Sequence, residues 1–283
     1  SMEIIIARNS GFCYGVKRAL HLTRETANKK PSRIFTWGEL IHNPQVISDL
    51  EKRGIKVTTS LSSLKPGDTV IIRSHGISPS VYQSLKKKRV RLVDATCPKV
   101  KEIQQKVEKL GRARAEIIIV GNRHHPEIKG LLGYSHRQAS VIESEEQAKA
   151  LPFKKKRAVL AQSTQDVELF GKIVAILAAK TEELSVYNTI CQSTRVRQEA
   201  TAELAGQVET LIIVGGKNSS NTNKLYEISL REQSRTYLIE SPEELTPDMI
   251  REAKIVGISG GASTPPEVIK KTVLAINNSC QQN

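Results

Sequence analysis

Three cysteines, Cys13, Cys97 and Cys191, stand 84 and 94 residues apart and divide the chain into three stretches that read alike. Each cysteine ends an apolar, strand-like run (IIIARNSGFC, RLVDATC, LSVYNTIC) and opens a helix-like one (CYGVKRALHLTRETANK, CPKVKEIQQKVEKL, CQSTRVRQEATAELAGQ). A repeat of that length is a whole α/β unit, not a solenoid turn. In each stretch the cysteine's helix is followed by a strand (33–38, 116–121, 210–216), a polar loop (39–44, 122–127, 217–223) and a helix. A short strand and a polar capping segment come next. Then come a second buried strand (68–73, 157–162, 254–259), a second loop (74–78, 163–167, 260–265) and a closing helix. The third stretch lacks one closing strand, which MEIIIAR at the start of the chain is expected to supply.

Short apolar runs alternating with helices predict an α/β fold with mostly parallel sheets. The expected layout is three similar units, 14–97, 98–191 and 192–283 together with 1–13, in a pseudo-threefold arrangement. Ligands of such sheets sit beyond the carboxyl ends of the strands. All six polar loops and all three cysteines fall at that end, which predicts one central pocket.

Composition narrows the function classes. No run approaches eighteen consecutive apolar residues, so no membrane span is expected. The start, SMEIIIARNSG, lacks the basic-then-apolar pattern of a signal peptide, and Ser1 ahead of Met2 reads as a cloning remnant. Four cysteines without an export signal predict a reducing, cytoplasmic setting. Cys280, in the polar tail NNSCQQN, breaks the repeat and is read as a free thiol without function. The net charge of +14 raises the question of nucleic acid. Yet the densest basic runs, 86–91 and 154–157, fall between expected elements, and aromatics make up only 4% of the chain. With no stacking platform, a nucleic-acid site is disfavoured, and the basic surface is expected to steer acidic substrates or redox partners.

Three thiols from distant repeats suggest a metal or cluster before disulfides. Structural zinc normally takes four ligands, often in C-x₂-C pairs, and no such pair occurs. A [4Fe–4S] cluster usually takes four cysteines, so three would leave one iron open. Three small buried residues are the bland alternative. The loops add His42, His75, His124, His125, Glu127, Ser163, Thr164, Ser219, Ser220, Asn221 and Ser263. Hydroxyls and amides beside several histidines suit an anion that needs many donors, such as a diphosphate, and loops running into helix N-termini add backbone N–H groups. Neither a P-loop nor a dinucleotide fingerprint is present, so the phosphate is expected on the substrate. Glu127, after His125 and Pro126, is either a buried proton donor or a helix-start glutamate stabilised by the dipole.

The segments GFCYGVKRA, GELIHNPQV, RSHG, DATCP, HHPE, AQST, TIC, KNSSNTN and GAST occur in this order over nearly the whole chain. In this the sequence resembles the 4-hydroxy-3-methylbut-2-enyl diphosphate reductase family, the last step of the methylerythritol phosphate route to isoprenoids. The resemblance implies three α/β units around one [4Fe–4S] cluster held by Cys13, Cys97 and Cys191. Its open iron would serve as Lewis acid and electron donor at the leaving hydroxyl. The resemblance further implies diphosphate binding by His42, His75, His125, Ser219, Ser220, Asn221 and Ser263. Glu127 would relay protons, helped by the hydroxyl at Ser163, with Thr164 beside it. Two electrons and two protons would convert (E)-4-hydroxy-3-methylbut-2-enyl diphosphate to isopentenyl and dimethylallyl diphosphate. A small acidic ferredoxin or flavodoxin is the expected electron donor. The sequence departs from the family at Ser163, where threonine is usual. Serine keeps the hydroxyl but loses the methyl that restricts its rotamer. Arg123 and His124 receive no role. The competing readings are an iron–sulfur hydro-lyase and a cluster-based sensor or nucleic-acid-binding module.

Overall fold

The computed structural model describes residues 2–29 and 33–281; Ser1 and the side chain of Cys280 lie outside what is described. Among these residues there are twelve strands: β1 (Glu3–Ile6), β2 (Ile34–Trp37), β3 (Ile55–Thr58), β4 (Thr69–Ile72), β5 (Arg91–Asp94), β6 (Ile117–Val120), β7 (Ala139–Ile142), β8 (Lys154–Ala161), β9 (Thr181–Tyr187), β10 (Thr210–Val214), β11 (Thr236–Ile239) and β12 (Ile255–Gly260). Burial explains their places. The runs IFTW, TVII, IIIV and TLIIV are buried at every position. A strand covered on both faces belongs in the middle of a parallel sheet. The half-exposed runs EIII and RLVD take the edges.

Three four-stranded sheets result, in the orders β3-β2-β4-β5, β7-β6-β8-β9 and β1-β12-β10-β11. Every pairing among the described residues is parallel. The α/β class and the parallel sheets are those expected. The missing strand of the third stretch is supplied by the chain start, with Glu3 opposite Ile255 and Ile6 opposite Ile258. The chain divides into two compact units. One comprises Ser1–Cys13, His42–Val46 and Gln192–Asn283, and holds the sheet containing β1. The other comprises Tyr14–Ile41 and Ile47–Cys191, and holds the other two sheets.

Alternating side chains fill opposite faces of each sheet. Ile118, Val120, Val159 and Ala161 pack on Phe170, Ile173 and Leu177, whereas Ile117, Ile119 and Leu160 pack on Ile103, Val107, Ile128 and Leu131. The sheet orders also fix where the loops go. From β2 the chain moves to β3 on one side, then returns past β2 to β4. The same reversal occurs at β6/β8 and at β10/β12. A crevice opens at the carboxyl ends where strand order reverses. The two polar loops of each repeat leave these paired strands, so they meet across the crevice.

One basic run differs from its expectation. Residues 154–157 are not a solvated connection but the first half of β8, and the Arg157 side chain is fully buried. It pairs with Glu116 at 3.2 Å and donates to the carbonyls of Pro152 and Lys180. Burying a guanidinium requires that its donors be matched, and these acceptors match them. Arg157→Met is therefore expected to cost about 3 kcal/mol, because it strands the Glu116 carboxylate and two carbonyls. Lys155→Met, two residues away and exposed, should change stability by less than about 0.5 kcal/mol. Urea midpoints of the two variants test the contrast, and equal midpoints would refute it.

Candidate active site

The crevice between β6 and β8 carries an acid and a hydroxyl. His125 caps the helix Pro126–Tyr134, its Nδ1 accepting the N–H of Glu127 at 3.2 Å. The Glu127 side chain, in the first turn of this helix, is 2% exposed. There Glu127 Oε1 accepts the Ser163 N–H at 2.7 Å and Oε2 accepts the Ser163 hydroxyl at 2.6 Å. Burial pushes the carboxyl above the usual range, and the two Ser163 bonds offset only part of this. Because His125 Nδ1 is an acceptor, the ring is neutral with its proton on Nε2. It can therefore position an anion as a donor without adding a full charge. The His75 ring meets the His125 ring edge to face at 5.1 Å.

The raised carboxyl has a thermodynamic consequence. Between its ordinary value of 4.5 and its folded value, Glu127 is ionised in the unfolded chain but protonated in the folded one. The unfolded state then binds fewer protons, so stability falls as pH rises through this window. Glu127→Gln removes that contribution. The metal-free variant should lose less stability between pH 5 and pH 7 than wild type, as read from urea midpoints. Parallel pH profiles would overturn the assignment.

The crevice between β10 and β12 carries neutral donors. Ser219 caps the helix Ser220–Glu232, accepting from the Thr222 N–H at 3.4 Å. Asn221 Oδ1 accepts the Ala262 N–H at 2.8 Å, while its buried Nδ2 has no hydrogen-bond partner among the described residues. The Ser263 hydroxyl lies 3.4 Å from Ser219 Oγ and donates to the His42 carbonyl at 3.1 Å. Gly216 makes room for that chain, since a Cβ there would lie 2.6 Å from the His42 carbonyl. Asn218 Nδ2 stands 3.5 Å from His42 Nδ1. A helix start bearing serine hydroxyls and an amide N–H without a partner has the chemistry of an anion site.

The three cysteines occupy equivalent local settings. Each N–H bonds the carbonyl two residues beyond the end of the neighbouring strand: Cys97 to Ser74 at 2.9 Å, Cys191 to Ser163 at 2.9 Å and Cys13 to Ala262 at 3.0 Å. Each directly precedes a helix, Tyr14–Asn28, Pro98–Arg112 or Gln192–Ala205. None of the three is in a disulfide, and all are partly exposed. Soft donors, backbones fixed by hydrogen bonds and helix starts that favour negative charge fit an iron–sulfur group.

Thus Glu127, Ser163, His75 and His125 fall together in one unit, and His42, Ser219, Asn221 and Ser263 in the other. Ser220 is the first residue of its helix. The Thr164 hydroxyl accepts from Gln162 Nε2 at 3.0 Å. Gln162 carries no signal in the sequence beyond its place in AQST, yet its Oε1 also holds the Asn122 N–H at 2.9 Å, tying one loop to the other. His124 and Arg123 are exposed. The His124 N–H rests on Asn122, and the Arg123 guanidinium reaches the Val141 carbonyl. No helix among the described residues is long and apolar enough to cross a membrane.

A family model described as LytB protein matches residues 4–277. The chain is 43% identical over 280 residues to the 4-hydroxy-3-methylbut-2-enyl diphosphate reductase of Caldanaerobacter subterraneus subsp. tengcongensis, covering 98% of this chain and 97% of the relative. It is 41% identical over 283 residues to that of Aquifex aeolicus, covering 99% and 98%. Among solved structures, the fold is similar to the E-1-hydroxy-2-methyl-but-2-enyl-4-diphosphate reductase of Plasmodium falciparum, with TM-score 0.93, 27% identity, and coverage of 98% of this chain and 89% of that one. It is also similar to a structure of (E)-4-hydroxy-3-methyl-but-2-enyl diphosphate reductase, with TM-score 0.68, 41% identity, and coverage of 98% and 100%.

Proposed function

Because the chain belongs to the LytB protein family, we propose that it reductively removes the hydroxyl of (E)-4-hydroxy-3-methylbut-2-enyl diphosphate, giving isopentenyl and dimethylallyl diphosphate. The observation that carries this reading is the buried Glu127 carboxyl bonded to Ser163. In our reading Cys13, Cys97 and Cys191 hold one [4Fe–4S] cluster, and the three expected units, 14–97, 98–191 and 192–283 with 1–13, each contribute one of these ligands. When bound, that group supplies the single electrons and the Lewis acidity that side chains lack.

The residues supply the rest. Ser163 N–H occupies Glu127 Oε1, so in the neutral acid the proton sits on Oε2 and the bond that Ser163 Oγ donates to the carboxylate reverses. The serine hydroxyl then accepts from Glu127 and turns its own proton outward, passing it to the departing hydroxyl. His42, His75, His125, Ser219, Ser220, Asn221 and Ser263 hold the diphosphate, largely with neutral donors, which limits over-stabilisation of bound product. Thr164 keeps the Gln162 bridge that sets the loop. A small acidic ferredoxin or flavodoxin in the cytoplasm is the natural donor for a chain of net charge +14.

The test is anaerobic turnover of this allylic diphosphate with a chemical reductant, and again without it. Products carrying two added electrons that form only with reductant are the expected result. Conversion without reductant would replace this reading with a hydro-lyase. Salt-dependent nucleic-acid binding with no conversion would replace it with a binding module.

A further inference from the structure

We propose that Arg197 and Arg18 are positioning residues that set the cysteine-bearing loops, each reaching from the helix that follows one cysteine to the chain just ahead of another. The inference rests on the cluster reading above. Arg197, six residues after Cys191, is 6% exposed, and its Nη2 donates to the Gly11 carbonyl at 2.8 Å. Its Nη1 donates to the Ser193 carbonyl at 2.9 Å and also to the Ser193 hydroxyl. Gly11 stands two residues before Cys13 with a left-handed φ of +96°. Glycine takes that conformation without strain but with little restriction of its own, so neighbouring bonds decide where the turn sits. Arg197 grips it on the carbonyl side, Gly260 accepts its N–H at 3.4 Å, and Ala262 accepts the N–H of Cys13 itself. Cys13 is thus fixed from both sides of the turn.

Arg18 repeats the arrangement. Five residues after Cys13, its Nη1 donates to the Thr96 carbonyl at 3.2 Å, directly ahead of Cys97. Thr96 is buried, and its N–H is held by Asp94 at 3.0 Å. The following Pro98 restricts Cys97 to extended backbone. The two clamps differ in strength. Arg197 is buried and forks between two stretches of chain, whereas Arg18 is half-buried with one bond. A lysine can replace the charge of either but not the fork. Groups that orient metal ligands tune both affinity and potential, as does positive charge near an iron–sulfur centre.

The experiment compares anaerobically purified wild type, Arg197→Gln, Arg18→Gln and, as a charge control, the exposed Arg112→Gln. Iron release to a chelator is followed by the loss of the cluster's visible absorption, and the midpoint potential by electron paramagnetic resonance. Arg197→Gln should release iron about 10–100-fold faster, the usual effect of losing a residue that orients a metal ligand. Its potential should be more negative, with Arg18→Gln intermediate and Arg112→Gln unchanged. A loop residue of merely structural importance would lower the melting temperature of the metal-free chain and leave the potential alone. Release and potential equal to wild type in both variants would overturn the inference. If Arg197→Gln does not fold, Arg18→Gln decides alone, faster release supporting the proposal and an unchanged rate overturning it. A wild type without iron and sulfide would overturn the cluster reading and this inference with it. Normal wild-type content with unaltered variants overturns the inference only.

Discussion

Glu127→Gln is expected to bind the allylic diphosphate and to lose about 10²–10⁴-fold in turnover, the range a positioned proton donor supplies. Glutamine matches the shape of the acid. Its Oε1 keeps the Ser163 N–H, and its Nε2 can donate to Ser163 Oγ in place of the present bond. The helix cap at His125 uses only the backbone N–H of residue 127, so it survives the change. What disappears is the transferable proton. The kcat should fall while KM moves by less than about threefold, since an interaction needed only in the transition state is lost. Steady-state kinetics with a chemical reductant check this, and iron content confirms that the variant is otherwise intact. Retained turnover would remove Glu127 from the proton path and leave it a structural acid at a helix start.

Much of this arrangement was legible from residue order alone. A run such as IIIV at 117–120 has no polar face, so it had to be a central strand of a parallel sheet. The absent strand of the last repeat pointed to the chain start for the same reason. The loops followed, because strand ends define the crevice. What the sequence left open depends on partners far away along the chain. Arg157 sits in a run of four cations that reads as solvent-facing, and its burial rests on Glu116, 41 residues earlier, together with the carbonyls of Pro152 and Lys180. The protonation of His125 is set by a backbone N–H two residues on, a geometry that composition does not encode. Arg197 bonds a carbonyl 186 residues away. A backbone acceptor leaves no trace in the identity of the residue that offers it. The place of Ser163 in a loop at a strand end was available from motif order, but its two bonds to Glu127 were not.

Cys97→Ser should lower iron and acid-labile sulfide from about four each per chain, the content of a full cluster, to a small fraction of that, and abolish reductive turnover. The substitution is nearly isosteric, so its effect reports on the sulfur. A serine hydroxyl is a harder ligand and stays protonated where a thiol ionises, so it cannot replace the thiolate. The fold has little reason to suffer. Cys97 stands at the start of the helix Pro98–Arg112 and its side chain does not cap it, while serine is a favoured cap. The Cys97 N–H bond to Ser74 is a backbone bond and remains. The melting temperature of the metal-free variant should therefore equal or exceed that of wild type, which separates loss of a ligand from loss of structure. Cys13→Ser and Cys191→Ser should behave alike, since each cysteine has the same backbone bond and the same helix behind it. Cys280→Ser should change nothing. About one zinc without sulfide in wild type would contradict the cluster reading, since a redox-inert ion cannot deliver the electrons that the reaction requires. The same three thiols would then be ligands of a Lewis-acid centre, and the buried Glu127–Ser163 pair would act as proton donor in a non-reductive elimination.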